Sequence, residues 1–539
     1  MAGSVTPPPE DGPERGDAGG SAPDADGTPE KTTGFAAGPS GYATTENPVG
    51  APAHPVDLAR GADDGGTITA EERAHGSDPA EPQVSTAPAG SPATGHETAG
   101  VGEHLADDDF AFPAGLWRKV AAHRPPGLPT QQVWRSPLRG PWLTSVLGFL
   151  LLISLPLVII TGLLDWIAYG PQFHQAIPSN VGYLHLPYFQ WPSRPAWLFQ
   201  LTEGLHVGLG LVLVPVVLAK LWSVMPKLFA WPPARSVASL LERVSLIMVV
   251  GGIVFEMATG ILNIQYDYIF GFNFYTAHYF GAWVFMTGFV VHVALKLPTM
   301  VRSLRSRSFL GELRTPLADT EPEAPDADGL VPTDPAPPTL SRRGALALVG
   351  GGSLLVAVLT VGQSIGGVAR EAALLIPRGR SYGDGPNDFQ VNKTAAAASI
   401  EPSATGSSWR LTLTGGATEV AFDRAALMEM RQHTVDLPIA CVEGWSTTQR
   451  WTGVRLADLA REAGVPRPAM GHVQSLEGGG GFSEAWLQGN QVLDPDALLA
   501  LCVNGVDLSP DHGYPARVIV PALPGVHCTK WVRSIEFVA

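Results

Sequence analysis

Five apolar runs of membrane-spanning length, at roughly 141 to 164, 197 to 222, 238 to 262, 274 to 297 and 344 to 367, constrain this chain more than any other feature. A run of about 20 apolar residues can satisfy all its backbone groups without water only as a helix. The runs therefore predict an all-α transmembrane bundle of five spans. The third carries Glu242, Arg243 and Glu256, of which Arg243 can snorkel and Glu256 can face the bundle interior. Pro156 and Pro215 lie inside the first and second runs and predict kinks. Basic residues set the orientation: Arg118, Lys119, Arg124, Arg135 and Arg139 precede the first span, Lys220, Lys227 and Arg235 separate the second from the third, and Arg302, Arg305, Arg307 and Arg314 follow the fourth. The segments 165 to 196 and 263 to 273 have only Arg194 between them. The N-terminus is expected in the cytoplasm of a plasma-membrane protein, and everything after the fifth span outside.

A chain of 539 residues exceeds one ordinary domain. Residues 1–110, rich in Pro, Gly, Ala, Ser, Thr, Asp and Glu, bury too little apolar surface to offset chain entropy and read as a disordered cytoplasmic tail. The tail lacks a basic region followed by an apolar run, so no cleavable N-terminal signal is expected. The net charge of −15 with no Lys/Arg cluster argues against a nucleic-acid partner. Residues 111–310 form the four-span membrane domain, and the Pro/Asp/Glu-rich 311–340 a flexible cytoplasmic linker. Residues 341–368 make the fifth span, 369–384 a hinge, and 385–539 an exported domain. In the last, short strands such as Trp409 to Thr414, Arg517 to Pro521 and Ser534 to Val538 alternate with helical stretches near 454 to 463 and 494 to 502. An α+β domain is the expectation.

Histidine is costly in a bilayer and usually marks a site. His206 lies in the second span, His278 and His292 in the fourth. The fourteen residues between the latter two amount to about 21 Å of helical rise, with both rings on roughly one face. This pattern resembles the di-haem cytochrome b subunits of formate dehydrogenase and hydrogenase. The resemblance implies one haem b between His206 and His278. A second would need His292 and a histidine of the first span, where the run Trp142 to Leu164 has none. For His292 an unusual axial partner, a quinone contact and a plain interhelical hydrogen bond stay open, and three hydrogen-bonding histidines with no cofactor are the bland alternative.

The chain has three cysteines, too few for a disulfide scaffold, and no multi-Cys spacing for haem c, zinc or iron–sulfur clusters. Cys441 by position alone is a packing residue or a soft ligand. Its surroundings are informative: Cys441-Val442-Glu443-Gly444-Trp445-Ser446, Trp451-Thr452-Gly453-Val454-Arg455-Leu456, His512-Gly513-Tyr514-Pro515-Ala516-Arg517-Val518-Ile519-Val520-Pro521, and Lys530-Trp531-Val532. Together they resemble the molybdopterin domain of the sulfite oxidase superfamily. The resemblance implies that Cys441 binds molybdenum and is the catalytic thiolate. It also implies that His512, Arg517, Val526, Cys528, Thr529 and Lys530 hold the pterin, with Asn392 a looser match. Gly478 to Gly481 lacks the lysine of a phosphate loop and reads as a loop near the pocket. Cys502 and Cys528 are either a disulfide or two inert thiols.

Arg342-Arg343 before the fifth run is either its inside anchor or an internal twin-arginine signal, the second suiting a domain exported folded around its cofactor. Within the superfamily the compact Glu443-Gly444-Trp445-Ser446 turn is similar to the bacterial protein-methionine-sulfoxide reductases. The expectation is a membrane-anchored molybdopterin oxidoreductase. Electrons would pass between quinone, haem b and an extracytoplasmic molybdenum centre that reduces an S-oxide substrate, directly or through a redox partner protein. The alternatives are oxidation of sulfite or another small anion and, in another class, a cofactor-free membrane receptor.

Overall fold

The computed structural model describes residues 113–129, 131–173, 180–181, 184–185, 189–234, 236–264, 274–326, 328–376, 382–479 and 483–539. The expected tail, Arg235 and part of the hinge lie outside these residues. After a short helix α1 (Ala114–Ala122), α2 (Pro141–Phe173) runs uncharged as far as Asp165. A small hairpin, β1 (Asn180–Val181) and β2 (Leu184–His185), precedes α3 (Leu198–Val212) and α4 (Val214–Leu228). These two are bent by 42° at Leu213, just before Pro215, whose missing N–H and ring disrupt the helical ladder. Next come α5 (Val237–Ile264), α6 (Phe274–Ser306), α7 (Phe309–Arg314) and α8 (Arg342–Thr360), which continues through α9 (Gly362–Ile365) to α10 (Val368–Ala372). Among the described residues four helices are long and apolar enough to cross a membrane, with a fifth span if α3 and α4 count as one. They form a bundle in which α5 lies along α6, α2 touches α3, α4 and α6, and α8 covers α3 and α4.

The C-terminal part contains two five-stranded sheets. In the order of the chain its strands are β3 (Leu411–Thr414), β4 (Val420–Phe422), β5 (His433–Ala440), β6 (Ser446–Arg455), β7 (Met470–Ser475), β8 (Glu484–Gln488), β9 (Leu498–Val503), β10 (Val506–Asp507), β11 (Arg517–Ile519) and β12 (Val532–Val538). One sheet has the order β10-β9-β6-β5 with β11 also on β9; the other is β4-β3-β12-β7-β8, with β12 parallel to β3. Helices α11 (Arg424–Glu429), α12 (Leu456–Glu462) and α13 (Gly489–Val492) complete it. Residues 494 to 502 are not the expected helix, because Leu498–Val503 is the central strand β9, paired with β6, β10 and β11. Its unbroken apolar run is buried on both faces, a pattern that periodicity alone does not separate from a buried helix.

Residues 311–340 are also more ordered than a flexible linker. Glu323 accepts from Trp142 N at the start of α2 at 2.9 Å, Asp328 pairs with Lys227 and Lys296 at 2.6 and 3.1 Å, and Leu330 and Val331 are buried. Arg342, buried at the start of α8, pairs with Glu312 at 3.1 Å, and Ser341 caps that helix.

The sheet domain sits directly on the helix ends. Trp166, Tyr169, Phe199 and Tyr279 of the bundle share one apolar core with Ala440, Leu487, Val526 and the sheet interiors. Trp191 donates to Ala522 O at 2.6 Å, and Arg194 pairs with Asp494 and Asp496 at 3.1 and 2.6 Å. Gln200 on α3 reaches Ser446 at 2.9 Å, and Ser446 donates to Ser364 O at 2.7 Å. Of the expected hinge, residues 377–381 lie outside the described ones; ahead of it, left-handed Gly366 and Gly367 break the chain between α9 and α10.

Candidate functional site

Cys441 lies at the mouth of the β5–β6 hairpin, whose last paired residues are Ala440 and Ser446. Cys441 N donates to Trp445 O at 3.0 Å and Gly444 N to Cys441 O at 2.8 Å, leaving a three-residue loop that ends in left-handed Gly444. A side chain is strained in that conformation, and a Cβ on Gly444 would also sit 2.7 Å from Val207 of α3. The loop is thus held against the helix bundle. Trp445 donates to Glu443 at 2.6 Å, and both are buried with Cys441.

Around Cys441 a small cavity is lined by Phe389, Gln390, Asn392, Trp445, Thr447, His512, Arg517, Gly525 and Lys530 among others. The chain thus brings together Cys441, Asn392, His512, Arg517 and Lys530, as expected from sequence. Val526, Cys528 and Thr529 do not line it. They lie behind, where Cys528 O accepts from Arg517 at 3.1 Å. No disulfide joins Cys502 and Cys528. Gly480 and Gly481 of the glycine loop lie outside the described residues. Phe389, Gln390 and Thr447 were not anticipated, since nothing in an isolated Phe-Gln pair before the first strand marks it as part of a site.

The electrostatics of this cavity favour an anion. Arg517 and Lys530 are buried, and neither makes a salt bridge among the described residues. They are held by carbonyls instead: Arg517 by His512 and Cys528, Lys530 by Lys393 and by Asp511 at 3.0 Å. Arg517 Nε and Gln390 Nε2 are buried without a partner. Burial lowers the Arg517 pKa to about 10 and holds Lys530 well below its usual range, with Arg517 adding to the latter. His512 stacks on Phe389 with ring centroids 3.6 Å apart and donates through Nε2 to Asn387 O at 2.9 Å. Burial, then Arg517, brings its pKa down to about 3, so it is a neutral donor. Buried cations with unspent donors suit an anionic group with several acceptors, such as a phosphate. With the buried thiol as a soft ligand, this donor set fits a pterin-bound molybdenum.

A second, polar cavity of about 910 Å³ adjoins the first and shares Phe389, Gln390 and Thr447 with it. Gln200, Arg370, Tyr382 and Gln449 lie on its other walls.

On the side of the helix bundle, an apolar cavity of about 210 Å³ is lined by His206, His278 and Val442, the residue that follows Cys441. The two imidazoles face each other with centroids 6.0 Å apart and planes at 88°. Nδ1 of His206 bonds to Val158 O at 3.0 Å, while Nδ1 of His278 bonds to Thr259 at 3.0 Å and Glu256 at 3.1 Å. Among the described residues neither Nε2 has a hydrogen-bond partner, the arrangement in which a metal-binding histidine is oriented by its other nitrogen. Two glycines make room: a Cβ on Gly162 would lie 2.6 Å from His206, and one on Gly260 would lie 3.3 Å from His278. These residues fit axial ligation of a haem. His292 is not with them; it lines a separate cavity nearer the other end of α6.

The model of the family described as "Oxidoreductase molybdopterin binding domain" matches residues 398–539. That region is therefore similar to molybdopterin-binding oxidoreductase domains. An uncharacterized oxidoreductase, YuiH, of Bacillus subtilis is 38% identical over 103 residues, covering 18% of this chain and 49% of that protein. A nitrate reductase of Hordeum vulgare is 39% identical over 101 residues, 17% of this chain and 11% of its own length. A sulfite oxidase of Arabidopsis thaliana is 35% identical over 103 residues, 16% of this chain and 26% of its own. The chain thus spans half or less of these relatives. Phe389, Gln390 and Asn392, which line the cavity, precede the matched residues.

Proposed function

We propose, starting from the oxidoreductase domain at residues 398–539, that this chain is a membrane-anchored enzyme joining a quinone pool to an extracytoplasmic molybdenum centre through haem b. The observation that carries this reading is that Val442, next to Cys441, lines the cavity between His206 and His278. Such contact is what an electron relay without an intervening carrier protein needs. When bound, the molybdenum cofactor supplies two-electron oxygen-atom chemistry, and a haem supplies one-electron relay.

The chain's own residues have separable roles. Cys441 would hold the metal through sulfur, Arg517 and Lys530 the phosphate, and His512 and Asn392 would orient the pterin. His206 and His278 would hold the haem, with Val158, Thr259 and Glu256 fixing their rings. Five spans with the N-terminus inside would put the sheet domain outside the plasma membrane, and Arg342-Arg343, at the inner end of the fifth span, would serve as its anchor or as the signal by which the folded domain is exported.

Reduction of an S-oxide is the favoured reaction, because the polar cavity of about 910 Å³ beside Cys441 exceeds the needs of a small oxyanion. The second reading, oxidation of sulfite or another small anion, draws on the name of the Arabidopsis relative. In membranes reduced with a quinol, reoxidation of haem by methionine sulfoxide supports the first. Haem reduction by sulfite supports the second and overturns the first. A cofactor-free receptor, by contrast, would give neither a haem spectrum nor molybdenum.

A further inference from the structure

An inner cavity of about 170 Å³, the one lined by His292, lies in the same bundle and shares Leu155, Val217, Ile253 and Phe285 with the outer cavity of His206 and His278. Its lining repeats part of the outer pattern, with Gly148, Lys220 and His292 on the walls of one cavity. In the outer cavity Gly162 of α2 faces His206, and His278 stands on α6. Fourteen residues away on each element, Gly148 of α2 faces Lys220 of α4, and His292 stands on α6. A Cβ on Gly148 would lie 3.0 Å from Lys220 Nζ, as one on Gly162 would lie 2.6 Å from His206. Lys220 therefore occupies the place that a histidine holds outside. On the continuous helices α2 and α6 fourteen residues are about four turns, about 21 Å of rise, and return to roughly the same face; from His206 to Lys220 the same count crosses the 42° bend between α3 and α4.

The charges point the same way. At the end of this cavity Lys227 and Lys296 are cross-linked to Glu242 and Asp328, two cations against two carboxylates. Lys220 takes no part in that cluster and makes no salt bridge among the described residues; it donates only to Thr144 O at 2.6 Å. His292 Nδ1 is buried without a partner. An amine facing apolar side chains without a carboxylate is costly, and such residues mark sites. An amine bound to a metal through its lone pair would still have an N–H for Thr144. A quinone alone would need neither the glycine facing the amine nor the fourteen-residue repeat.

We propose that the inner cavity binds a second haem b with Lys220 and His292 as its axial ligands. This rests on the outer haem reading and adds an amine–imidazole ligand pair to it. The test is haem content and spectroscopy of the purified full chain, independent of turnover. Pyridine haemochrome should give two haems per chain, with electron paramagnetic resonance separating a bis-imidazole from an amine–imidazole species. Lys220→Leu should remove the second haem and its signal alone, and Lys220→His should restore the haem with a bis-imidazole signal in place of the amine one. His278→Ala should remove the other haem and leave the amine species. One haem in the wild type, lost in His278→Ala, would overturn the inner site and leave the outer reading standing. Two haems with spectra unchanged in Lys220→Leu would likewise overturn the lysine ligand. A chain without haem would overturn both.

Discussion

At the residue scale the account depends on Cys441 and the two buried cations beside it. Cys441→Ser keeps the size and the turn but replaces the soft ligand, so activity should fall by more than about a hundredfold, the upper range for losing a mere outer-shell partner. Circular dichroism should show the fold intact; wild-type turnover in this variant would remove Cys441 from the metal. His527 gives a different prediction. Buried with both ring nitrogens unpartnered and its pKa lowered by burial to about 3, it stays neutral in the fold well below the ordinary value for histidine. Between about pH 6.5 and 3 the unfolded chain binds more protons there, so stability decreases as pH falls through that window. In melting curves His527→Phe should flatten this decline, and an unchanged slope would show that His527 does not contribute. Cys441, His512, Arg517 and Lys530 were legible from their neighbours in sequence. Gln390 and Thr447 were not, because only the fold carries the segment before the first strand to the hairpin of β5 and β6.

At the scale of elements, the turn between β5 and β6 couples the sheet domain to α3. Gly444→Val should cost about 1–2 kcal/mol for a left-handed side chain and push the turn from Val207. Quinol-driven activity should then fall several-fold, while activity with a soluble dye that reduces the sheet domain directly should change little; equal loss in both assays would mean that the turn matters only for folding. Gly162→Val tests the neighbouring element, since it should displace His206 and remove the outer haem from the optical spectrum. The apolar runs made the long helices legible, because a run of about 20 apolar residues satisfies its backbone without water only as a helix, although α2 and α6 continue to Phe173 and Ser306, past the ends of their runs. The strand at Leu498–Val503 was misread for the same reason in reverse: buried on both faces, it lacks the alternation that separates strand from helix. The docked course of residues 311–340 was hidden because a Pro/Asp-rich composition describes an isolated chain, whereas Glu323 and Asp328 find their partners on distant helices.

At the scale of the whole molecule, helix bundle and sheet domain share an apolar core, so the distance between Cys441 and the histidine cavity is fixed by packing. Sequence order could not reveal this, since Val207 and Gly444 or Trp191 and Ala522 lie hundreds of positions apart. The central claim, that electrons move between the membrane cavity and Cys441 within one chain, is tested most directly by anaerobic optical spectroscopy of the purified protein. After reduction by a quinol, adding methionine sulfoxide should bleach the reduced haem b bands in the wild type and leave them standing in Cys441→Ser. Absence of haem bands, or bleaching at the same rate in both proteins, would contradict it.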